Sequence, residues 1–97
     1  MSTINDATIS FDSAKNVANI QQRQLAFTLV KELDWTSALI VEDERKDYGE
    51  RRFQVLGFIA DRLHAVVFTP RMDKIHVISL RKANAREVKQ YEQTSKD

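Results

Sequence analysis

Between residues 51 and 80 three apolar, β-branched runs follow one another with almost no chain between them: RRFQVLGFIA over 51–60, LHAVVFT over 63–69 and KIHVISL over 74–80. Their texture is that of strands. Two residues, Asp61 and Arg62, separate the first pair, and the four residues Pro70-Arg71-Met72-Asp73 separate the second. A parallel crossover needs a dozen or more residues, so these runs must pair antiparallel, as two successive hairpins. Pro70 favours the second turn.

A further run, SALIV over 37–41, reads as another strand and completes a four-stranded antiparallel sheet. The stretch 42–50, rich in charge and carrying Gly49, reads as an exposed loop. Helical signals flank the sheet. Phe11 is placed as a staple and Asp12 as an N-cap, so a helix starts near Ser13, with Ala14, Val17, Ala18 and Leu25 predicted to face the core and Lys15, Asn16, Asn19, Gln22 and Arg23 to face solvent. Ala26, Leu29, Val30 and Leu33 repeat at helical spacing and predict a second short helix over 26–33. Asn84 and Glu87 form a capping-box pattern that opens a last helix carrying Ala85, Val88 and Tyr91 on one side. The expectation is an α+β fold with two N-terminal helices, the four-stranded antiparallel sheet and a C-terminal helix, in one domain over 1–97. Trp35, Phe27, Leu33, Phe53, Phe58, Phe68 and Val77 are its expected core.

Composition then narrows the chemistry. With no cysteine and two histidines among 97 residues, disulfides, thiolate catalysis and a Cys zinc site are excluded, and no metal or other cofactor is expected. No apolar run approaches the roughly 20 residues of a membrane span, and the first residues carry no signal-peptide pattern, so a cytoplasmic protein is expected. The net charge of +1 hides a split: residues 1–44 hold three basic and seven acidic side chains, whereas 45–97 hold twelve basic and seven acidic. Such asymmetry points to a basic surface for a polyanion beside a separate acidic one.

Several strings, in order along the chain, resemble the BrnT toxins. Phe11-Asp12 with Lys15 and Asn19 is similar to the family's F-[DE]-x-D-x-x-K-x-x-x-N opening in shortened form. Tyr48-Gly49-Glu50 followed by Arg52 and Phe53 resembles G-E-x-R-F, with Gly57 at the glycine that follows. Val66-Val67-Phe68-Thr69 with Arg71 resembles V-V-x-T-x-R, and Ile78-Ser79-Leu80-Arg81-Lys82-Ala83 resembles I-S-A-R-x-A, with Glu87 and Tyr91 continuing the pattern. The resemblance spans about 11–92. The chain departs from the pattern at Gln22-Arg23, where the family has Lys-His, at Gln24 for Gly, at Pro70 for an acidic residue and at His76 for Arg.

The resemblance implies a RelE-like fold and a ribonuclease toxin that blocks translation within a type II toxin–antitoxin pair. The implied partner is a BrnA-like antitoxin with a ribbon-helix-helix DNA-binding domain, assembled with the toxin as a heterotetramer that reaches operator DNA through the antitoxin. RNA cleavage by its own 2′-OH needs a base, an acid and fixed positive charge on the phosphorane, with no metal. Arg81 and Arg71 are candidates for the phosphate, weighed against a structural ion pair of Arg81 with Glu50 or Glu87 and a solvated turn charge at Arg71. Glu50 is the leading base, although Arg51 and Arg52 would depress its pKa. Lys15, Arg51, Arg52, Arg62 and Lys74 are candidates for tracking the RNA backbone, Tyr48 for stacking on a base or donating a proton, and His76 for contacting RNA. By strict strand alternation His76 is expected on the face opposite Arg81. Two rival readings are a catalytically impaired homologue serving only as co-repressor with its antitoxin, and a generic nucleic-acid-binding domain.

Overall fold

The computed structural model describes residues 9–45, 47 and 49–95. Asp12 caps the first helix as the sequence predicts: its Oδ1 accepts from the backbone N–H of Ala14 and Lys15 at 2.8 and 3.2 Å, and α1 runs Ser13–Arg23. It ends on Gln24, held in left-handed backbone at φ 62°. The expected second α-helix is instead a 3₁₀ helix, Phe27–Glu32. Its buried residues explain the difference: Phe27, Val30 and Leu33 recur every third residue, the period of a 3₁₀ turn.

The sheet has five strands rather than four and is mixed rather than wholly antiparallel. In chain order they are β1 (Ile9–Phe11), β2 (Leu39–Glu42), β3 (Phe53–Ile59), β4 (Arg62–Arg71) and β5 (Lys74–Lys82), arranged β1-β5-β4-β3-β2. The hairpins β3-β4 and β4-β5 form as their short connections require, and β2 adds antiparallel to β3. The added strand β1 pairs parallel with β5, Ile9 opposite Ile75 and Phe11 opposite Val77. Pro70 and Arg71 belong to β4, so the second turn tightens to Met72-Asp73. Helix α2, Ala85–Ser95, opens with the reciprocal capping box: the Glu87 N–H donates to Asn84 Oδ1 at 2.8 Å and the Asn84 N–H to Glu87 Oε1 at 3.0 Å.

Each face of the sheet has its own core. On one, Val55, Ile59, Val66, Phe68, Val77 and Leu80 meet Phe27, Val30 and Leu33 from the 3₁₀ segment, with Trp35 and Phe53 packed against the cluster. Gly57 makes this approach possible, because a Cβ there would stand 2.7 Å from Leu33 Cδ2. On the other, Leu56, Leu63, Ala65 and Ala83 are covered by Phe58, Val88 and Tyr91, so α2 lies over only one end of that face.

Lys15, Gln22 and Arg23 are exposed and Leu25 packs against the first core as the sequence predicts, but the helix between them is rolled away from its apolar stripe. Val17 and Ile20 are exposed, whereas Asn19 is buried. Asn19 Nδ2 donates to the carbonyls of Leu25 and Leu80, and Asn16 Oδ1 accepts from the Phe27 N–H. The Leu25 carbonyl and Phe27 N–H lie on the chain leaving α1 and the Leu80 carbonyl on β5 beyond its pairing with β1, and the two asparagines satisfy all three.

Candidate functional site

The end of the second face that α2 leaves open gathers the charged residues. Cross-strand pairing sets which side chains share it. Thr69 lies opposite His76, Val67 opposite Ser79 and Ala65 opposite Arg81, while Phe68 lies opposite Val77 and Val66 opposite Leu80. The register shifts between Val67 and Phe68, a bulge that absorbs one residue of β5. It corrects the alternation argument: Val77 and Leu80 both enter the first core, and His76 and Arg81 share the second face.

His76 Nδ1 is hydrogen-bonded to Ser10 Oγ at 3.0 Å, across the parallel β1-β5 pair. Glu50, just before β3, pairs with Arg71 at the end of β4, Arg71 Nη2 donating to Glu50 Oε2 at 3.2 Å. The Arg71 hydrogen bond, then the charges of Arg71, Arg52 and His76, hold the Glu50 carboxyl below the usual carboxylate range. Burial chiefly, with Arg71 and Lys15 adding to it, holds the His76 imidazole below the ordinary histidine value, against the pull of Glu50 and Asp12. His76 is therefore neutral at pH 7, and Glu50 is ionised. Glu50, Arg71, His76, Arg52 and the first turn of α1 at Lys15 thus form one electrostatic cluster, with Lys74 opposite Arg71 at the hairpin.

Other sequence candidates stand elsewhere. Arg81 is held in a bidentate ion pair with Glu87, both nitrogen-to-oxygen distances 2.8 Å, so the structural pairing weighed for it is with Glu87 and not Glu50. Its position, four strand residues from the His76 row, is about 13 Å away. Arg51 pairs with Glu42 and lies 5.1 Å from the centroid of the Phe53 ring, on the face opposite the cluster. Arg62 begins β4, at the far end of that strand from Arg71. Tyr48 lies outside the described residues. Gln22 and Arg23 are exposed in the last turn of α1, about 11 Å along the axis from Lys15. His64 is buried, its Nδ1 bonded to the Arg62 carbonyl. Sequence reasoning missed Ser10, whose signal is the Ile9-Ser10-Phe11 alternation, too short to be read as a strand.

Among the described residues no group of three or more His, Cys, Asp or Glu side chains could hold a metal ion, and no helix is long and apolar enough to cross a membrane. An open sheet end carrying a neutral imidazole, an ionised carboxylate and convergent cations defines a site suited to a phosphodiester. The family model of the ribonuclease toxin BrnT, of type II toxin–antitoxin systems, matches residues 11–87, and the chain belongs to that family. No curated protein matches it. Membership in a type II system implies an antitoxin partner.

Proposed function

We propose that this chain is itself a metal-independent endoribonuclease whose phosphate site is the Glu50–Arg71–His76 cluster. The observation that carries the reading is their convergence, with Lys15 and Arg52, on the part of the sheet that α2 leaves uncovered. His76 takes the proton of the 2′-OH at Nε2, since Nδ1 is engaged by Ser10. The 2′-oxygen attacks phosphorus, the bond to the 5′-oxygen breaks, and the leaving oxygen takes a proton from water, giving a 2′,3′-cyclic phosphate and a 5′-hydroxyl. Arg71 meets the charge developing on the phosphorane. Glu50, held ionised by Arg71, is a weaker base than a neutral imidazole and serves to aim that guanidinium. Arg81 anchors α2 to β5. In the cell this activity inhibits translation and is neutralised by a BrnA-like antitoxin whose ribbon-helix-helix domain takes the complex, a heterotetramer, to operator DNA.

The co-repressor alternative is motivated by Gln22-Arg23, and those residues lie at the opposite end of α1 from the cluster. The test is cleavage of single-stranded RNA by the purified chain, alone and with ribosomes. His76→Gln and Arg71→Ala are each expected to lose roughly 10²–10⁴ in rate with the fold retained. Arg81→Ala is expected to lower the unfolding midpoint more than the rate. The wild-type profile should fall on acidification only below the ordinary histidine range, because the base must be unprotonated, and His76→Gln should abolish that limb. Folded wild type that cleaves no RNA under either condition overturns the reading in favour of the co-repressor.

A further inference from the structure

The open half of the sheet continues past the charged cluster. Val41, Gln54, Val67 and Ser79 lie opposite one another across β2, β3, β4 and β5 and make one row of the same face. The Thr69–His76 row is two residues further along, about 7 Å away, and across the sheet His76 stands one strand from Val67, two from Gln54 and three from Val41, at about 5 Å per strand. A pocket of about 310 Å³ opens on the first row, with Val41, Gln54 and Val67 as its floor and the turn 42–45 as its rim. Gln54 is half-buried, and its side-chain amide has no hydrogen-bond partner among the described residues.

A nucleotide's base stands one sugar away from its phosphate, a span comparable to this row spacing. A phosphodiester at Arg71 and His76 therefore places the neighbouring base toward Val67 on the adjacent strand and Gln54 on the next, with Val41 at the far side of the pocket, and the apolar surface of Val67 suits a stacked ring. The amide of Gln54 presents an acceptor beside a donor, and that pair complements the adjoining N7 acceptor and N6 amino donor of adenine. Guanine offers two acceptors on the same edge, and the pyrimidines lack the ring nitrogen there. On the rim, Glu42 and Asp43 are held in ion pairs with Arg51 and Arg45, so the choice of base edge falls to the Gln54 amide.

We infer that this pocket is the base subsite of the enzyme and that Gln54 sets its specificity for adenine next to the cleaved phosphate. The inference rests on the ribonuclease reading above. Its test is cut-site mapping on short RNAs randomised in sequence, with wild type, Gln54→Leu and Gln54→Glu checked for unchanged thermal unfolding. Wild type is expected to favour adenine at one fixed position beside the cut by about tenfold or more. Replacing that adenine with 7-deazaadenine, which keeps its pairing edge but lacks N7, should erase the preference for wild type and change nothing for Gln54→Leu. Gln54→Glu, lacking the donor, should lose the preference as well. Cleavage without base preference, or a preference that survives both Gln54→Leu and 7-deazaadenine, overturns the subsite and leaves the ribonuclease reading standing. An intact RNA pool with folded wild type overturns both.

Discussion

At the scale of single residues, Gln24 is one of three described non-glycine residues, with Ala60 and Met72, held in left-handed backbone. It closes α1 at φ 62° and ψ 31°, with its N–H donating to the Ile20 carbonyl at 2.8 Å. A side chain with a Cβ pays about 1–2 kcal/mol for that region, which glycine enters freely. The BrnT pattern has glycine at this position, as the geometry of a helix C-cap favours. Gln24→Gly is therefore expected to stabilise the chain by about 0.5–1 kcal/mol, read as a higher urea midpoint at unchanged m-value. Residue-scale features that are local were legible in the sequence: the Asp12 cap and the Asn84–Glu87 box each satisfy donors within three residues. Features joining distant positions were not. Ser10 meets His76 across 66 residues and Arg71 meets Glu50 across 21, and only the strand order makes those pairs.

Elements fail or succeed in the sequence for equally physical reasons. The hairpins were fixed by connections too short for anything else. The strand β1 was invisible because an alternation of three residues is too short to read and its partner lies at the other end of the chain. The roll of α1 was misread because an apolar stripe was taken as the inward face, whereas the deciding demand was unsatisfied backbone, after Gln24 and at Leu80 of β5, met by Asn16 and Asn19. The bulge in β5 carries no signature and yet decides which face His76 shares. Gly57 is the element-scale contact that can be tested. A Cβ there meets Leu33 Cδ2 at 2.7 Å and Ala38 Cβ at 3.2 Å, in a site where β3, the 3₁₀ segment and its exit loop converge. Gly57→Ala is expected to destabilise by about 1–3 kcal/mol, as overpacking does. Pairing it with Leu33→Ala should recover part of that loss, since the leucine tip is the group displaced; a double mutant that is simply additive would place the clash elsewhere.

Across the whole molecule, charge is arranged by end rather than by chain half. Lys15, from the acidic half of the sequence, joins Arg52 and Arg71 from the basic half around His76, whereas Arg62 starts the strand that Arg71 ends. Nine residue steps along β4 separate those two arginines, about 30 Å of extended chain. If RNA lies across the open end of the sheet, phosphates meet the first group of cations and not Arg62. Each neutralised phosphate of a single strand contributes about 0.7 to the slope of log affinity against log salt. Binding of an RNA made uncleavable by 2′-deoxy substitution should therefore have a slope near −2 for the three cations. Arg71→Ala and Lys15→Gln should each reduce its magnitude by about 0.7, and Arg62→Ala should leave it unchanged. A slope that falls equally for all three variants would mean that the RNA reads only net charge, and the open end of the sheet would then not be its binding surface.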